Sequence, residues 1–302
     1  MKDLKGKNCL LTGAASGIGR IMAHELTREG MKLMLVDLDM DGLEKVKAEV
    51  ENMGGEATTA RCDVSSFDET MALEEEARSR MGHVDLLINN AGIAGAGLVE
   101  ELDPSEWKKV FDVNTWSIVY AARAFLPAMI ERGSGHFVST GSGAGIVGIP
   151  YHIQYVVSKF AVVGISEAIY SEIKHVYPGI DVSVICPSYL NTRIIDRTEV
   201  RLPTKFVSDI TEEEFNERIE EFKKHFWVKY NKKGMPVEKA VKKYVKGIKK
   251  GKLYIFDDPQ LNFALFLKGV SDRLYRMALR REGRGHLDMI RDTFKDMGVT
   301  VK

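Results

Sequence analysis

Short apolar runs alternate along this chain with longer stretches whose apolar residues recur every three or four positions. The runs Asn8 to Thr12, Lys32 to Val36, Glu56 to Cys62, Val84 to Asn89, His136 to Ser139 and Ile180 to Ile185 predict strands. The stretches Gly17 to Glu29, Asp41 to Asn52, Ser66 to Arg80, Ser105 to Glu131 and Gln154 to His175 predict helices between them, with Pro127 marking a kink or an end. Such alternation predicts an α/β fold, a doubly wound parallel sheet of Rossmann type with about seven strands and right-handed helical crossovers. Leu33 to Val36 and Val84 to Ile88 are apolar without a polar face, as in strands covered on both sides.

Beyond Thr192 the pattern changes. Glu212 to Trp227 is highly charged, but Phe215, Ile219, Phe222 and Phe226 are spaced to form one helical stripe. That stripe suits either packing onto the body of the protein or a lid over an apolar pocket, and the two are compatible. Pro236 opens a helix over Val237 to Lys249, and Gly251 to Phe256 predicts the last strand, at the sheet edge. The tail joins an apolar segment, Leu261 to Leu267, to Arg273, Arg276, Arg280, Arg281 and Arg284. A basic amphipathic helix of this kind packs on a partner subunit or on its own domain, or lies on a membrane surface; subunit or self-packing is the first expectation. The division expected is one catalytic domain over 1–258, with a helical lid at about 193–235, and a helical extension over 259–302.

Composition narrows the function. The 302 residues carry no formal net charge, which argues against bulk nucleic-acid binding. Cys9, Cys62 and Cys186 lie far apart in apolar runs, as buried fillers in a reducing compartment. The seven histidines show no ligand spacing, so no metal is expected. The N-terminus enters a strand without an apolar leader and no run approaches a membrane span, so a cytoplasmic location is expected, with surface membrane association as the alternative.

The candidate chemistry lies in and around the helix at 154–175. Tyr155 and Lys159 stand four apart, on one helical face, where an ammonium favours the phenolate and draws the tyrosine toward acid–base work. Tyr170 and Lys174 share that spacing, about 22 Å away along the helix. Only the first pair has a Gly- and Ser-rich stretch upstream, with Ser142 thirteen residues before Tyr155; the same offset from Tyr170 falls on Val157. Tyr155 is therefore taken as functional.

The turn Thr12-Gly-Ala-Ala-Ser-Gly-Ile-Gly19 joins the first strand to the first helix. Gly13, Gly17 and Gly19 permit a tight turn and close backbone approach, and the helix start suits a pyrophosphate. Asp37, closing the second strand, suits the adenosine ribose hydroxyls. A 2′-phosphate about 4 Å from that carboxylate would be repelled by about 4 kcal/mol at an effective dielectric of ~20. No Lys or Arg lies between Val36 and Glu44, so NAD is favoured over NADP. Asp39 and Asp41 read as helix caps, Asp41 the better. Asp63 suits the adenine amine or a cap on the next helix. Asn89-Asn90-Ala-Gly92 suits a tight turn against a cofactor, and Asn114, in mid-helix, is either an exposed polar residue or an interruption that holds a water.

Together these residues resemble the short-chain dehydrogenase/reductase family in its Tyr-x-x-x-Lys form. The resemblance runs in unbroken order over about residues 5 to 195. It rests on Thr12-Gly-x-x-x-Gly-Ile-Gly19, Asn89-Asn-Ala-Gly92, Asn114, Ser142, Tyr155-x-x-x-Lys159, and Pro187 with Thr192. It implies Tyr155 as proton donor or acceptor, Ser142 on the substrate oxygen, Lys159 on the nicotinamide ribose and Asn114 beside a relay water. It implies cofactor contacts at Gly13, Ser16, Gly17, Ile18, Gly19, Asp37, Asp63, Val64, Asn90, Gly92, Tyr155, Lys159, Pro187 and Thr192. The family's Pro-Gly after the sixth strand is Pro187-Ser188 here. The expected reaction is hydride transfer between NAD and a secondary alcohol or ketone, the Phe stripe suggesting a steroid-like, fatty or aromatic substrate. The alternatives are a polyol or sugar dehydrogenase of the same fold and a non-catalytic NAD sensor. A homo-oligomer is expected.

Overall fold

The computed structural model describes residues 1–192 and 198–302. The opening stretch of the expected lid, 193–197, lies outside the described residues. Seven strands form one parallel sheet: β1 (Asn8–Thr12), β2 (Lys32–Asp37), β3 (Glu56–Arg61), β4 (Leu86–Asn89), β5 (Gly135–Thr140), β6 (Ile180–Cys186) and β7 (Tyr254–Phe256). Their order is 3-2-1-4-5-6-7. The strand order reverses at β1, and at such a switch point loops leave the carboxyl ends of neighbouring strands in opposite directions and open a crevice.

Both faces of the sheet are covered, which explains the unalternated strands. On one side α1 (Gly17–Arg28), α2 (Met40–Asn52) and α9 (Val237–Lys249) bury Leu26, Val46 and Tyr244 against Leu11 and Leu35. On the other, α3 (Phe67–Met81), α5 (Ser117–Arg132) and α6 (Ile153–Val176) bury Leu73, Phe125 and Val162 against Leu10, Leu87 and Phe137. All three cysteines are buried and free.

The stretch expected as one helix over 105–131 is divided. Following α4 (Pro104–Phe111), a π-helical turn over Asp112–Trp116 carries Asn114, and α5 then runs through Pro127 to Arg132. The interruption falls at Asn114 and not at the proline, because a helix can spare the one amide hydrogen bond that proline lacks when its neighbours are packed. Chain reversal comes instead at Gly133, at φ +72°.

The charged segment also forms two helices, α7 (Glu212–Glu217) and α8 (Ile219–Lys233), followed after β7 by α10 (Pro259–Val270) and α11 (Asp272–Asp296). Phe215, Phe222 and Phe226 meet Met289, Ile290 and Phe294 of α11 in a separate small core. The Phe222 and Phe294 rings lie 5.0 Å apart, and those of Phe215 and Phe294 5.7 Å. The aromatic stripe therefore packs chiefly on the tail, and α7, α8 and α11 share one core. A two-residue ladder between Gly95–Ala96 and Glu199–Val200 ties this layer to the sheet's carboxyl edge.

Candidate active site

Thr12, Asp37, Asn89, Thr140 and Cys186 end their strands along one edge, and the loops that leave them build the site. Most helices that start near this edge close their own amino ends: Asp39 accepts from Gly42 N, Ser66 from Glu69 N and Asp103 from Ser105 N. Asp39 is thus the cap of α2, with Asp41 in its first turn, because the helix starts at Met40, one residue earlier than expected. At α1, Ser16 makes no side-chain cap. Among the described residues no side-chain cap closes its first turn, which is the arrangement an anion site requires.

The glycine turn in front of α1 is shaped by contact. A Cβ on Gly13 (φ +65°) would stand 2.8 Å from the Ala91 Cα, and one on Gly19 would stand 2.0 Å from the Gly13 carbonyl oxygen. Gly17 (φ +55°) differs, because among the described residues a Cβ there would meet nothing nearer than Thr192 at 3.9 Å. Its open side is the cradle that a pyrophosphate fits. Asp37 braces this turn: Oδ2 accepts from Ala15 N at 3.1 Å, while Oδ1 accepts from Leu38 N and Asp39 N. Asn90 clasps it from β4, donating Nδ2 to the Thr12 and Gly13 carbonyls at 3.1 and 3.2 Å. Asp63 turns back on Ser65, with Oδ1 accepting from Ser65 N and Oγ at 2.9 and 2.7 Å, and Val64 packs into the core below. Ser66, not Asp63, caps α3.

A cavity of about 1060 Å³ opens above this edge. It is lined by Ile18, Asn90, Gly92, Ser142, Tyr155, Lys159, Pro187 and Thr192 among the expected residues. Gly13, Ser16, Gly17, Gly19, Asp37, Asp63 and Val64 lie outside its lining, as does buried Asn114 behind the Gly92 loop. Tyr155 and Ser142 both line this cavity, and Ser142 acts to lower the Tyr155 phenol. Lys159 donates Nζ to the Thr140 carbonyl at 2.9 Å and stands 5.8 Å from the centre of the Tyr155 ring. The second pair lies elsewhere, with Lys174 held by Asp181 at 2.8 Å.

Electrostatics depart from the expectation for Tyr155. Burial pushes its phenol up, and the Ser142 hydrogen bond only partly offsets this. Lys159, 4 % exposed, is itself pushed down to about 8 by burial. Desolvation is the largest cause of both shifts, and it disfavours the charged form of each group.

Asn114 is fixed from three directions. Its Oδ1 accepts from Ile93 N at 2.9 Å, and its Nδ2 donates to Ile93 O at 2.9 Å and Ser158 Oγ at 3.0 Å. A Cβ on Gly92 would stand 3.1 Å from that Oδ1 and 3.3 Å from Lys159 Nζ, so the amide and the ammonium flank one glycine. Pro187 O accepts from Gly143 N at 2.7 Å, locking the β6 exit to the Ser142 loop. The serine after it is anchored by buried Asp257, which accepts from Ser188 N at 2.9 Å and from Ser188 Oγ at 2.6 Å.

Sequence reasoning reached the upper wall of the cavity only at Phe226. Tyr189 and Tyr230, with ring centres 5.1 Å apart, line it alongside Phe226. Tyr230 is the next four-residue step of the Phe222–Phe226 stripe, a signal the sequence did carry. The remainder comes from α10 and α11, through Leu261, Phe263, Leu267, Leu274, Met277 and His286, and no local pattern assigns those to a site.

Comparison with known proteins finds a family and similar folds. The family model for short chain dehydrogenase matches residues 7–201. A Lactiplantibacillus plantarum protein named CLA biosynthesis dehydrogenase/reductase is 32% identical over 87% of this chain and 91% of its own. Mouse estradiol 17-beta-dehydrogenase 11 is 33% identical over 70% of this chain and 72% of its own. The crystal structure of a Burkholderia phymatum short chain dehydrogenase/reductase in complex with NAD superposes with a TM-score of 0.78, at 27% identity, covering 91% of this chain and 96% of that one. A metagenomic short-chain oxidoreductase in complex with NADP is similar over 61% of this chain and 83% of its own, at 31% identity and a TM-score of 0.59.

Proposed function

The chain belongs to the short-chain dehydrogenase/reductase family, and on that premise we propose that it interconverts a hydrophobic secondary alcohol and its ketone with NAD. The observation that carries the reading is the meeting of Ser142, Tyr155 and Lys159 at the polar floor of a cavity whose upper wall is largely apolar. Bound, the nicotinamide supplies the hydride acceptor or donor. Ser142 Oγ hydrogen-bonds the substrate oxygen, and the Tyr155 hydroxyl takes or gives the proton on that oxygen. Lys159 holds the nicotinamide ribose and supplies positive charge near the phenol. Asn114 steadies the Gly92–Ile93 turn and, through the open lone pair of Oδ1, a water between itself and Lys159. Gly13, Ser16, Gly17, Ile18 and Gly19 hold the pyrophosphate, with Asn90, Gly92, Pro187 and Thr192 around the nicotinamide half, and Asp63 and Val64 at the adenine.

The substrate class is tested by following NAD reduction over alcohols graded in size and polarity. The expected result is a kcat/KM that climbs with apolar bulk, since each added methylene buried in an apolar wall contributes about 0.8 kcal/mol. Preference for polyols or sugars would overturn the hydrophobic reading. The two names among the relatives, one for CLA biosynthesis and one for estradiol, lean the same way.

Asp37 decides the cofactor. Its carboxylate already accepts three backbone N–H groups and keeps lone pairs for ribose hydroxyls, whereas a 2′-phosphate would meet it as a like charge. NADH is expected to bind at least about tenfold tighter than NADPH, a difference of about 1.4 kcal/mol. Fluorescence titration of both measures this, and Asp37→Ser should narrow the gap. Tighter NADPH binding by the unmodified chain would refute the assignment.

A further inference from the structure

The tail is only half packed. The carboxyl half of α11 buries Met289, Ile290 and Phe294 in the lid core, but α10 has no buried residue. Phe263, Phe266 and Val270 of α10 are 61, 60 and 63 % exposed, and Leu274 and Met277 of α11 are 49 and 59 % exposed. Within each helix these positions step by three or four and share a face. Phe263, Leu274 and Met277 also line the cavity, so the exposed apolar residues of both helices gather at its mouth. Monomers rarely leave such a patch open without use.

Charge selects the occupant. Between residues 260 and 284 six basic side chains face two acidic ones, in a chain whose net charge is zero. Arg273, Arg276, Arg280 and Arg284 are exposed and follow one another at helical steps. A two-fold contact with a second copy would bring this basic stripe close to its own image, an unfavourable pairing of like charges. An anionic lipid surface satisfies both features at once, with the apolar crest among the acyl chains and the arginines among the headgroups. Among the described residues no helix is long and apolar enough to cross a membrane, so the contact lies in the interface plane.

We propose that α10 and the first half of α11 dock the protein on an anionic phospholipid surface, with the cavity mouth turned to the lipid so that an apolar substrate enters from the bilayer. The entry route rests on the dehydrogenase reading; the docking does not.

The test is flotation of the full chain with phosphatidylcholine vesicles, with and without phosphatidylglycerol. Binding to the anionic vesicles is expected to be about tenfold or more tighter than to the neutral ones and to weaken as salt is added. Phe266→Asp with Val270→Asp should weaken binding to both by a similar factor. Neither side chain lines the cavity, so kcat/KM for a short water-soluble alcohol should stay unchanged. Arg280→Glu with Arg284→Glu should remove the preference for phosphatidylglycerol. The docking proposal fails if the unmodified chain does not float, or if it floats equally well with either pair of substitutions. It also fails if light scattering shows a dimer that Phe266→Asp with Val270→Asp splits while flotation is absent, since the face would then belong to a second copy. Because flotation needs no turnover, loss of docking with activity intact would leave the dehydrogenase reading standing.

Discussion

Replacing Tyr155 by phenylalanine is expected to lower kcat by about 10²–10⁴-fold, the range general acid–base catalysis supplies, with KM and NADH affinity little changed. The substitution deletes one oxygen and leaves the ring in place, so the fold keeps its packing. What disappears is the hydroxyl to which the proposed reaction assigns the proton on the substrate oxygen. Burial pushes this phenol up, so at neutral pH it is protonated. Ketone reduction, which needs the acid form, should therefore hold level through neutral pH and decline only in strong base. Alcohol oxidation needs the phenolate and should rise with pH across the same range. Both slopes should vanish in the phenylalanine variant. Tyr170→Phe, which repeats the spacing away from the cavity, should change neither. Steady-state rates in both directions across pH give the result. A Tyr155→Phe variant that kept kcat within a few-fold would take the proton-transfer role away from Tyr155.

The sheet was legible because its signals are local. Apart from the polar β3, the strands of the parallel core are short, largely apolar runs, and the sequence places six of the seven within two residues of their ends and β7 within three. The glycine turn, Asp37 and the Tyr155 pair were legible because their chemistry rests on adjacency along one turn or one helix. What stayed hidden depends on distance. The π-turn at Asn114 keeps the apolar rhythm of a helix, so only the polar residue hinted at a break, and the proline nearby drew the boundary instead. The direction of the Tyr155 shift follows from burial, which spacing does not report. Ser188 and Asp257 are joined across 69 residues, and the sequence alone shows only a departure from Pro-Gly. The upper cavity wall is built largely by a tail more than a hundred residues from Tyr155, held there by the phenylalanine stripe of α7 and α8. The stripe was legible as a face, but its partner was not.

Replacing Lys159 by methionine is expected to stabilise the ligand-free protein at neutral pH while cutting kcat about a hundredfold or more. The two effects share one cause. The ammonium is buried with the Thr140 carbonyl as its hydrogen-bond acceptor, and burial holds its pKa near about 8 against an ordinary value of 10.5. For a base with a depressed folded value, the unfolded chain binds the proton more tightly. Below pH 8 the fold therefore carries the cost of a desolvated charge; that cost falls as pH rises from 8 to 10.5 and is absent above it. At about 1.4 kcal/mol per unit the cost at pH 7 is about 3 kcal/mol. Methionine removes it and leaves the Thr140 carbonyl without its donor, which costs about 1 kcal/mol. The net gain of about 2 kcal/mol should raise the melting temperature by several degrees. Thermal melts of both proteins without cofactor, at pH 7 and at pH 10, measure the difference, which should shrink or reverse at the higher pH. A methionine variant less stable at pH 7, or a gap that ignores pH between 8 and 10.5, would mean that the lysine is not held as a strained cation. With the expected outcome, the protein keeps at neutral pH a buried charge that weakens its fold, placed where the proposed reaction calls for positive charge beside a phenol.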